Sequence, residues 1–410
     1  MPAVHRARRV VVTGLGVISS IGVGTDDFLA GLRAGRNGAK PITGFPTDGY
    51  EHSIACEVVD FDPAPWITRL PVGELGRASQ FAVAGARMAL TDAGVGGAEL
   101  AGRRGMVAIG TTNGETRELD RLVEQEVTGG PDSRDRTIAR RISAGRLSAA
   151  VARELGLTDV EAVTIPTACA AGNYAIGNAV DAIRAGEVSF AVCGGADALC
   201  RKTVAGFYRL GAMAPERCQP FDKDRGGMLT GEGAGVLLVE ELESARARGA
   251  RNYAELTGFG LNCDADHPVA PNQDSVARCI ASALQDAGVS PDEVDLISAH
   301  GTATKANDVV EVGAIRQVYG DTPPRTVSMK SMLGHALGAA SALAAAGCAL
   351  ALTHGFIPPT INHVETDPEC PVDCVPNTAV EADLRVVQNN ALAFGGNNAV
   401  LILSRCEDRA

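Results

Sequence analysis

The sequence predicts an α/β fold built from two similar halves. Short runs rich in β-branched residues and bounded by glycine alternate with longer alanine-rich stretches, a pattern typical of α/β proteins with largely parallel sheets. The pattern begins again near residue 250 with the run YAELTGFGLN, although sequence identity between the halves is too low to prove a repeat. The 410 residues also exceed the roughly 250 to 300 that a single hydrophobic core supports. We therefore predict one half over residues 1–250 and a second over residues 251–410.

The predicted elements follow each other in order along both halves. In the first half we predict strands in RRVVVTGLGVI, RGMVAIGTT, EAVTIPTA, SFAVCGGADA and GAGVLLVEEL. In the second half we predict a strand in YAELTGFGLN, a helix over residues 274–287, a strand in VDLISAHGT and a last strand in NNALAFGGNNAVLILS. Segments 32–75, 112–147 and 200–225 are rich in glycine, proline and charge, which predicts loops or caps that carry substrate contacts.

Composition narrows the function classes. A net charge of −12 argues against nucleic acid as the main partner, because phosphate binding needs a basic surface. The eleven cysteines, odd in number and irregularly spaced, are typical of free thiols in a reducing cytoplasm. The start MPAVHRARRVVVTGLGVISS is basic and then apolar, but Gly14 and Gly16 within a β-branched run favour a strand and turn over a signal peptide. Residues 336–352 are uncharged and rich in alanine, which predicts a buried helix rather than a membrane span.

The sequence predicts neither a nucleotide site nor a metal site. TGLGVIS lacks the third glycine of the dinucleotide-binding fingerprint and has no acidic residue at the required distance. His363, Cys370 and Cys374 lie together in NHVETDPECPVDC, but three potential ligands in a proline-rich loop without a Cys-x-x-Cys pair are weak grounds for zinc. We therefore expect no bound metal and no tightly bound cofactor.

Cys169 occupies a position suited to a nucleophile. In TIPTACAAGNYAIG it follows an extended run and precedes small residues, which places it at the start of a tightly packed helix. A free thiol has a pKa of about 8.5, and the unpaired N–H groups of a helix start favour the thiolate. The backbone N–H of the same residue can also face a thioester oxygen. On position alone, a buried structural cysteine is an equal alternative.

Three further segments hold residues of a catalytic type. SAHGTATKANDVVE places His300 at a strand end before Gly301, and VSMKSMLGHALGAASA places Lys330 and His335 at a strand-to-helix junction. ALAFGGNNAV places Phe394 before two glycines, where backbone approaches another group closely. A lone histidine is more often a core residue, but two of the seven histidines stand beside glycine at such junctions, as the cysteine does.

Six motifs in order make the chain resemble the elongating β-ketoacyl-acyl-carrier-protein synthases, the decarboxylating Claisen condensing enzymes of the thiolase superfamily. They are VVTGLGVISSIG, TACAAG, QPFDKDRGGMLTGEGAG, HGTATKANDVVE, KSMLGHALGAASA and FGGNN. The resemblance implies a thiolase-like fold in which two similar halves form five layers, α-β-α-β-α, and a dimer assembled through the first half. It implies decarboxylative condensation of an acyl thioester with malonyl-acyl carrier protein. The only cofactor implied is the 4'-phosphopantetheine carried on the substrate's acyl carrier protein.

Matched position by position, the resemblance implies roles for individual residues. Cys169 would accept the acyl group, and His300 and His335 would act on the malonyl thioester, organised by the buried cation of Lys330. The backbone N–H groups of Cys169 and Phe394 would form the oxyanion hole, with Phe394 also acting as a gate. The remaining matches are Thr302 and Thr304 in the phosphopantetheine tunnel and Asp308 and Glu311 in the charge network.

The resemblance also implies partners. Acyl carrier protein is normally acidic, so we expect docking through basic residues near the tunnel mouth, with ordinary solvated arginines as an equal alternative. The candidates are Arg136, Arg140, Arg141, Arg146, Arg201, Lys202 and Arg209. The dimer is expected to be a homodimer or a heterodimer with a chain-length-factor-like subunit. Chain-length-factor subunits lack the nucleophilic cysteine, so Cys169 disfavours the alternative of a non-elongating scaffold.

One departure from the family pattern concerns the charge network. Fourteen residues past Lys330, where many elongating synthases have a glutamate, this chain has Ala344. We therefore expect Lys330 to pair with Asp308 or Glu311 instead.

A second departure lies beside the predicted acyl pocket. Where fatty-acid enzymes usually continue with glycine and a large aliphatic residue, AIGTTNGET has Thr112, Asn113 and Glu115. Polar groups left unpaired beside a saturated chain would cost roughly 1 to 3 kcal/mol each. The sequence therefore favours a polyketide or polyene acyl chain, with Asn113 as a substrate-binding residue, and a housekeeping fatty-acid synthase is the alternative.

Overall fold

The computed structural model describes residues 8–407, in which strands and helices alternate as the sequence predicts. The strands are β1 (Val10–Ser19), β2 (Gly22–Val23), β3 (Lys40–Pro41), β4 (Ile54–Ala55), β5 (Gly105–Gly110), β6 (Val160–Ile165), β7 (Phe190–Asp197), β8 (Gly233–Glu241), β9 (Ala254–Cys263), β10 (Leu296–Ser298), β11 (Arg325–Val327), β12 (Phe356–Ile357), β13 (Val380–Glu381), β14 (Val386–Leu392) and β15 (Asn397–Ser404). The helices are α1 (Thr25–Ala34), α2 (Arg77–Asp92), α3 (Gly97–Leu100), α4 (Thr116–Gly129), α5 (Arg136–Ala139), α6 (Arg146–Leu155), α7 (Ala171–Arg184), α8 (Arg201–Arg209), α9 (Leu242–Ala247), α10 (Gln273–Ala287), α11 (Lys305–Tyr319), α12 (Lys330–Leu333) and α13 (Ala340–His354).

The same strand order occurs in both halves. The first half contributes β1-β8-β7-β5-β6 to the main sheet, and the second contributes β9-β15-β14-β10-β11. When the five strands of each half are counted along the chain, both orders read first, fifth, fourth, second, third. In both halves the fifth strand is antiparallel to its neighbours, whereas the second strand is parallel to its own. The predicted similarity of the halves is therefore present in the topology.

The two half-sheets meet between β1 and β9. Only two residue pairs join them, Val11 with Glu255 and Val12 with Ala254. Residue 250, where we predict the division, lies between α9 and β9. The outer limits of the predicted halves, residues 1–7 and 408–410, lie outside the described residues, so the boundaries stay a prediction.

The halves stack as five layers, α-β-α-β-α. α7 and α13 form the middle layer, where α7 packs on β5 and β7, α13 packs on β8 and β14, and the two helices contact each other. α2 and α6 cover the first half-sheet on its outer face, and α10 and α11 lie outside the second. The alternation of β7 shows why: Phe190 and Val192 point into the outer core with α2, whereas Ala191 and Cys193 point towards α7 and α13.

α13 is buried on all sides, which explains its uncharged sequence. Every residue from Ala340 to Leu352 is buried. The segment Leu337–His354 is apolar and long enough to cross a membrane, yet 89% of it lies inside the protein. Small residues allow this close packing, since a Cβ at Gly172 of α7 would come within 2.8 Å of Ala342. The predicted buried helix is confirmed.

One prediction of local structure is wrong, and another is incomplete. The last predicted strand is a hairpin of β14 and β15, because Gly395 and Gly396 adopt φ angles of 84° and 79° and reverse the chain. Segments 112–147 and 200–225 are not only loops, since they contain α4, α5 and α8. α4 and α8 do carry apolar residues at helical spacing, such as Leu119, Leu122 and Val123 in α4, so the period is present in the sequence and is overlooked when the glycine, proline and charge content is favoured.

Candidate active site

The candidate nucleophile lies in a strained turn between β6 and the buried helix α7. β6 ends at Ile165, a 3-10 turn covers Ala168–Ala170, and α7 begins at Ala171. Ala168 has a φ of 49°, a left-handed conformation that is unfavourable for a residue with a Cβ. The turn places Cys169, which is 6% exposed, at the helix start predicted from the sequence.

Burial sets the charge state of the thiol. It raises the pKa of Cys169 to about 12, while the Lys330 cation and the backbone N–H groups of Phe394 and Cys169 act in the opposite direction. The net shift is opposite to the one expected from the helix start alone. The thiol is therefore protonated near neutral pH, and its proton must leave when the acyl group arrives.

One cavity joins most of the predicted site residues. It has a volume of about 440 Å³, and its wall includes Cys169, His300, His335, Thr302, Thr304 and Phe394. Lys330, Asp308 and Glu311 lie behind this wall as buried groups that contact its backbone. Asn113 is not among the described residues that line the cavity.

The two histidines are close neighbours in a neutral state. The rings of His300 and His335 lie edge to face, with centroids 5.4 Å apart. Burial, reinforced by the charge of Lys330, lowers the pKa of both rings well below the usual range. The N–H of Leu337 donates to Nδ1 of His335 at 3.1 Å, so Nδ1 carries the lone pair and Nε2 carries the proton. His335 is thus a neutral imidazole whose N–H donor is Nε2.

His300 is held at its own peptide groups. Lys330 Nζ donates to the His300 carbonyl oxygen at 2.6 Å. Glu311 accepts from the N–H groups of His300 at 2.7 Å and Gly301 at 2.8 Å. Burial lowers the pKa of Lys330, and the charge of Glu311 opposes that shift. The expected pairing of Lys330 with Glu311 or Asp308 is therefore indirect. The backbone of His300 lies between the ammonium and the Glu311 carboxylate, while the charges of Glu311 and Asp308 still raise the pKa of Lys330.

Asp308 positions the loop that carries the two threonines. Its carboxylate accepts from the N–H groups of Phe221 at 2.9 Å and Ala303 at 3.2 Å, and burial raises its pKa to about 6. The hydroxyls of Thr302 and Thr304 lie 2.9 Å apart on the cavity wall, where Thr304 caps the start of α11. Two adjacent hydroxyls suit a substrate arm that contains amide groups.

Phe394 lies at the cavity mouth, in the turn between β14 and β15. The residue is 37% exposed, and its ring centroid lies 5.6 Å from that of Phe207 on α8. Its backbone N–H faces the sulfur of Cys169. The turn therefore brings both an aromatic ring and a backbone donor to the nucleophile.

Asp197 is a site residue that the sequence reasoning missed. It ends β7, is fully buried, and accepts from Thr111 Oγ1 at 2.8 Å. It also accepts from three backbone N–H groups, those of Thr112, Asn113 and Gly338, at 2.7, 2.9 and 2.7 Å. One carboxylate thus ties the loop after β5 to the turn that follows His335. The signal was an acidic residue inside the apolar run SFAVCGGADA, since burial of a charge without partners is costly.

The polar residues after β5 divide between two roles. Glu115 caps the start of α2, where it accepts from the N–H groups of Ser79 at 2.8 Å and Ala78 at 3.3 Å, and burial raises its pKa to about 7. The placement of Glu115 beside the acyl pocket is therefore wrong. Thr112 Oγ1 and Asn113 Nδ2 are buried without a hydrogen-bond partner among residues 8–407.

The residues considered for zinc lie in two different environments. His363 Nε2 lies 2.9 Å from Thr366 Oγ1. Cys370 and Cys374 are buried in an apolar cluster around Phe221. Among the described residues, no group of three or more His, Cys, Asp and Glu side chains is placed to hold a metal ion.

Comparison with known proteins gives the family. Residues 7–245 match the model for the N-terminal domain of beta-ketoacyl synthase, and residues 253–364 match the model for its C-terminal domain. A relative from Synechocystis sp. named 3-oxoacyl-[acyl-carrier-protein] synthase 2 is 38% identical over 409 residues, which cover 97% of this chain and 98% of the relative.

Two solved structures are also similar. The structure described as the ishigamide ketosynthase/chain length factor is 61% identical, with a TM-score of 0.97 over 98% of this chain and 100% of that chain. A type II PKS acyl-carrier protein in complex with its ketosynthase bound to the hexaketide gives 32% identity and a TM-score of 0.90 over the same shares. The predicted thiolase-like fold is thus confirmed. The chain belongs to the beta-ketoacyl synthase family and is a condensing enzyme of fatty acid or type II polyketide chain elongation.

Proposed function

We propose that the chain loads an acyl group onto Cys169 and condenses it with malonyl-acyl carrier protein, giving a β-ketoacyl carrier protein two carbons longer. The observation that carries this assignment is the single cavity shared by the Cys169 thiol and two buried, neutral imidazoles, His300 and His335. The thiol supplies the covalent carrier, and the imidazoles supply N–H donors for a thioester oxygen. The 4'-phosphopantetheine of the carrier protein brings the thioester, and no other cofactor is required.

In the loading step, the sulfur of Cys169 attacks the carbonyl carbon of the acyl thioester. The carrier thiolate leaves and takes up a proton, which balances the proton lost by the cysteine. The negative oxygen of the tetrahedral intermediate accepts from the backbone N–H groups of Cys169 and Phe394. Loss of one such donor typically costs about 3 to 4 kcal/mol of transition-state stabilisation.

In the condensing step, the malonyl thioester loses carbon dioxide and leaves an enolate. Nε2–H of His335, together with the His300 ring, stabilises the enolate oxygen, and Lys330 keeps both rings neutral through its charge. The enolate carbon then attacks the carbonyl carbon of acyl-Cys169. The C–S bond breaks, and the sulfur returns as a thiol once it takes up a proton.

Acyl carrier protein is the proposed docking partner, which a similar solved complex of a carrier with its ketosynthase supports. Among the candidate basic residues, those exposed are Arg136, Arg140, Lys202 and Arg209. Arg209 ends α8, next to Leu210, and both Leu210 and Phe207 line the catalytic cavity. Arg141 is only 16% exposed and lies 3.3 Å from Glu118, so its charge is already paired. We therefore assign carrier docking to α8 first.

Reversal of the charge at Arg209 tests this docking face. Arg209→Glu should raise KM for carrier-bound substrate several-fold, because an acidic partner then meets like charge. Hydrolysis of a small acyl thioester should stay unchanged. Arg153→Glu, an exposed arginine on α6, is the matched control. Equal effects of Arg209→Glu on carrier-bound and small substrates would contradict the assignment.

The second subunit is proposed to be of the chain-length-factor type, with a homodimer as the alternative. Support comes from the ketosynthase/chain length factor that is 61% identical to this chain. Co-expression with a candidate second subunit, followed by measurement of the mass of the complex, distinguishes the two states. The proposed location is the cytoplasm, which the unpaired thiols of buried cysteines such as Cys56, Cys193 and Cys218 support.

The proposed acyl substrate is a polyketide or polyene chain. The higher identity to a ketosynthase/chain length factor than to the 3-oxoacyl-[acyl-carrier-protein] synthase 2 of Synechocystis supports this. Competition between saturated and polyene carrier thioesters tests the preference, and equal elongation rates would favour the housekeeping fatty-acid role.

Intact-protein mass spectrometry tests the enzymatic assignment. After incubation with acyl-carrier thioesters, we expect one acyl adduct, confined to Cys169 and lost in Cys169→Ala. His300→Ala should still be acylated but fail to release carbon dioxide from malonyl carrier protein. Absence of any adduct in the wild-type protein would instead support a non-elongating subunit.

A further inference from the structure

Buried polar side chains form an unbroken line from the end of α11 to His300. Tyr319 Oη donates to Gln388 Oε1 at 2.5 Å, Gln388 Nε2 donates to Asn390 Oδ1 at 2.7 Å, and Asn390 Nδ2 donates to Glu311 Oε1 at 3.0 Å. The same Glu311 oxygen accepts from the His300 N–H at 2.7 Å. The line therefore joins a half-buried tyrosine at the helix end to the backbone of a catalytic residue.

The direction of every hydrogen bond in this line is set by its acidic end. An ionised carboxylate only accepts, so Asn390 must turn its NH₂ group towards Glu311. The Asn390 oxygen must then receive the NH₂ group of Gln388, whose own oxygen receives the hydroxyl of Tyr319. All three donors point towards Glu311, an arrangement that stabilises a negative charge there.

The two amides of the line lie on one buried face of strand β14. Gln388 and Asn390 lie two residues apart on one face of β14 and are 0% and 2% exposed. Asn389 between them points to the other face, where its NH₂ group donates to Asn173 Oδ1 and the Ser341 carbonyl, each at 3.0 Å. Buried amides are costly unless they are hydrogen-bonded, and the NH₂ groups of Gln388, Asn389 and Asn390 all have partners.

Glu311 is also the strongest anionic influence on Lys330. Among the groups that raise the Lys330 pKa against the effect of burial, the charge of Glu311 comes first. Ala344 on α13 supplies no charge to this region. Glu311 therefore has two roles. It accepts from the His300 N–H, and its charge acts on the Lys330 ammonium that donates to the His300 carbonyl oxygen.

We propose that Asn390, Gln388 and Tyr319 form a positioning relay that holds the Glu311 carboxylate in place and thereby fixes His300 for the malonyl half-reaction. The relay rests on the proposed role of His300. None of its three members lines the cavity among the described residues, so they act through Glu311 and not on the substrate. The relay should affect the turnover of malonyl carrier protein and not the loading of Cys169.

Asn390→Asp is the main test, since it keeps the shape but replaces the donor with a second carboxylate that faces Glu311. We expect decarboxylation of malonyl carrier protein to slow about tenfold or more, with KM nearly unchanged and acyl loading of Cys169 at the wild-type rate. Tyr319→Phe removes only the far end of the relay, so we expect a loss of about two- to threefold. Tyr174→Phe is the matched control, because its hydroxyl donates at 3.0 Å to the Asn262 carbonyl outside the relay.

Three results would overturn the relay. The first is wild-type decarboxylation in both Asn390→Asp and Tyr319→Phe. The second is an equal loss of loading and decarboxylation that follows the loss of thermal stability, since that pattern indicates a purely structural role. The third is wild-type decarboxylation in His300→Ala, which removes the role of His300 itself and so is distinguishable from failure of the relay alone.

If Asn390→Asp does not fold, Tyr319→Phe and Tyr174→Phe decide the question. The measured quantity is the rate of malonyl decarboxylation divided by the rate of Cys169 acylation, which should fall in Tyr319→Phe and not in Tyr174→Phe.

Discussion

The two halves of the molecule share one topology but deliver different chemistry at equivalent places. After the third strand of each half the chain enters a buried middle-layer helix, so β6 leads through Cys169 to α7, and β11 leads through Lys330 and His335 to α13. After the second strand, β5 leads to the loop held by Asp197, and β10 leads to His300. The duplicated fold thus places the thiol of the proposed nucleophile, from one half, and two imidazoles, from the other, in one cavity. Equivalent junctions need not carry equivalent residues, because chemistry depends on the side chain placed there.

Burial acts on both halves but shifts their groups in opposite directions. It raises the pKa of the acid in the first half, Cys169, and lowers the pKa of the bases in the second, His300 and His335. All three groups are neutral as a result. The cation behind them, Lys330, adds to the neutrality of the rings while it favours the thiolate.

The largest expected effect comes from removal of a ring in the second half. His335→Ala should slow condensation about 100- to 1000-fold, because it removes a preorganised N–H donor to the enolate oxygen. Acylation of Cys169, a function of the first half, should persist. Product formation and intact-protein mass, measured side by side, check both claims. Loss of acylation with decarboxylation intact would reverse the assigned division of labour.

A smaller effect distinguishes the two buried aspartates. Asp197→Asn should lower kcat about tenfold, because Asp197 accepts from the N–H of Gly338, and the N–H of the preceding residue, Leu337, fixes the tautomer of His335. Asp308→Asn should instead raise KM for carrier-bound substrate, because Asp308 holds the loop of Thr302. Steady-state kinetics on both variants check the contrast, and the same change in the same parameter would show that they share one role.

The residues that line the cavity could be predicted from the sequence, whereas the buried contacts behind them could not. Cys169, His300, His335 and Phe394 stand beside small residues at the ends of apolar runs, so local pattern and family motifs found them. The cap at Glu115 depends on which helix start faces the loop after β5, which no local pattern states. For the same reason, the sequence does not show that Gln388 and Asn390 of β14 bond to each other and to Glu311, because it does not say which helix packs on that strand.

The hairpin at the end of the chain shows the same limit. The run NNALAFGGNNAVLILS is typical of one strand, because only two glycines interrupt it and both flanks are rich in apolar residues. Only the positive φ angles of Gly395 and Gly396 reveal the turn that brings Phe394 to the cavity.

The smallest expected effect concerns stability and the first half alone. Burial raises the pKa of Glu115 from 4.5 to about 7, so its favourable contribution to the unfolding free energy is present below the unfolded pKa and is lost as pH rises through about 7. Between about pH 5 and pH 8, the melting temperature of Glu115→Gln should therefore fall less than that of the wild-type protein. Glu51→Gln, an exposed carboxylate, is the control and should leave the wild-type slope unchanged. Parallel pH profiles of Glu115→Gln and wild type would count against a protonated buried carboxyl.

The central claim is that two uncharged imidazoles of the second half share one cavity with the thiol of the first. Nitrogen NMR of protein labelled at histidine with ¹⁵N measures the protonation state of each ring from about pH 5.5 to 8, with His300→Ala and His335→Ala to assign the signals. We predict that His300 and His335 are neutral throughout this range and that His335 carries its proton on Nε2. A doubly protonated ring at either position at neutral pH would contradict the account.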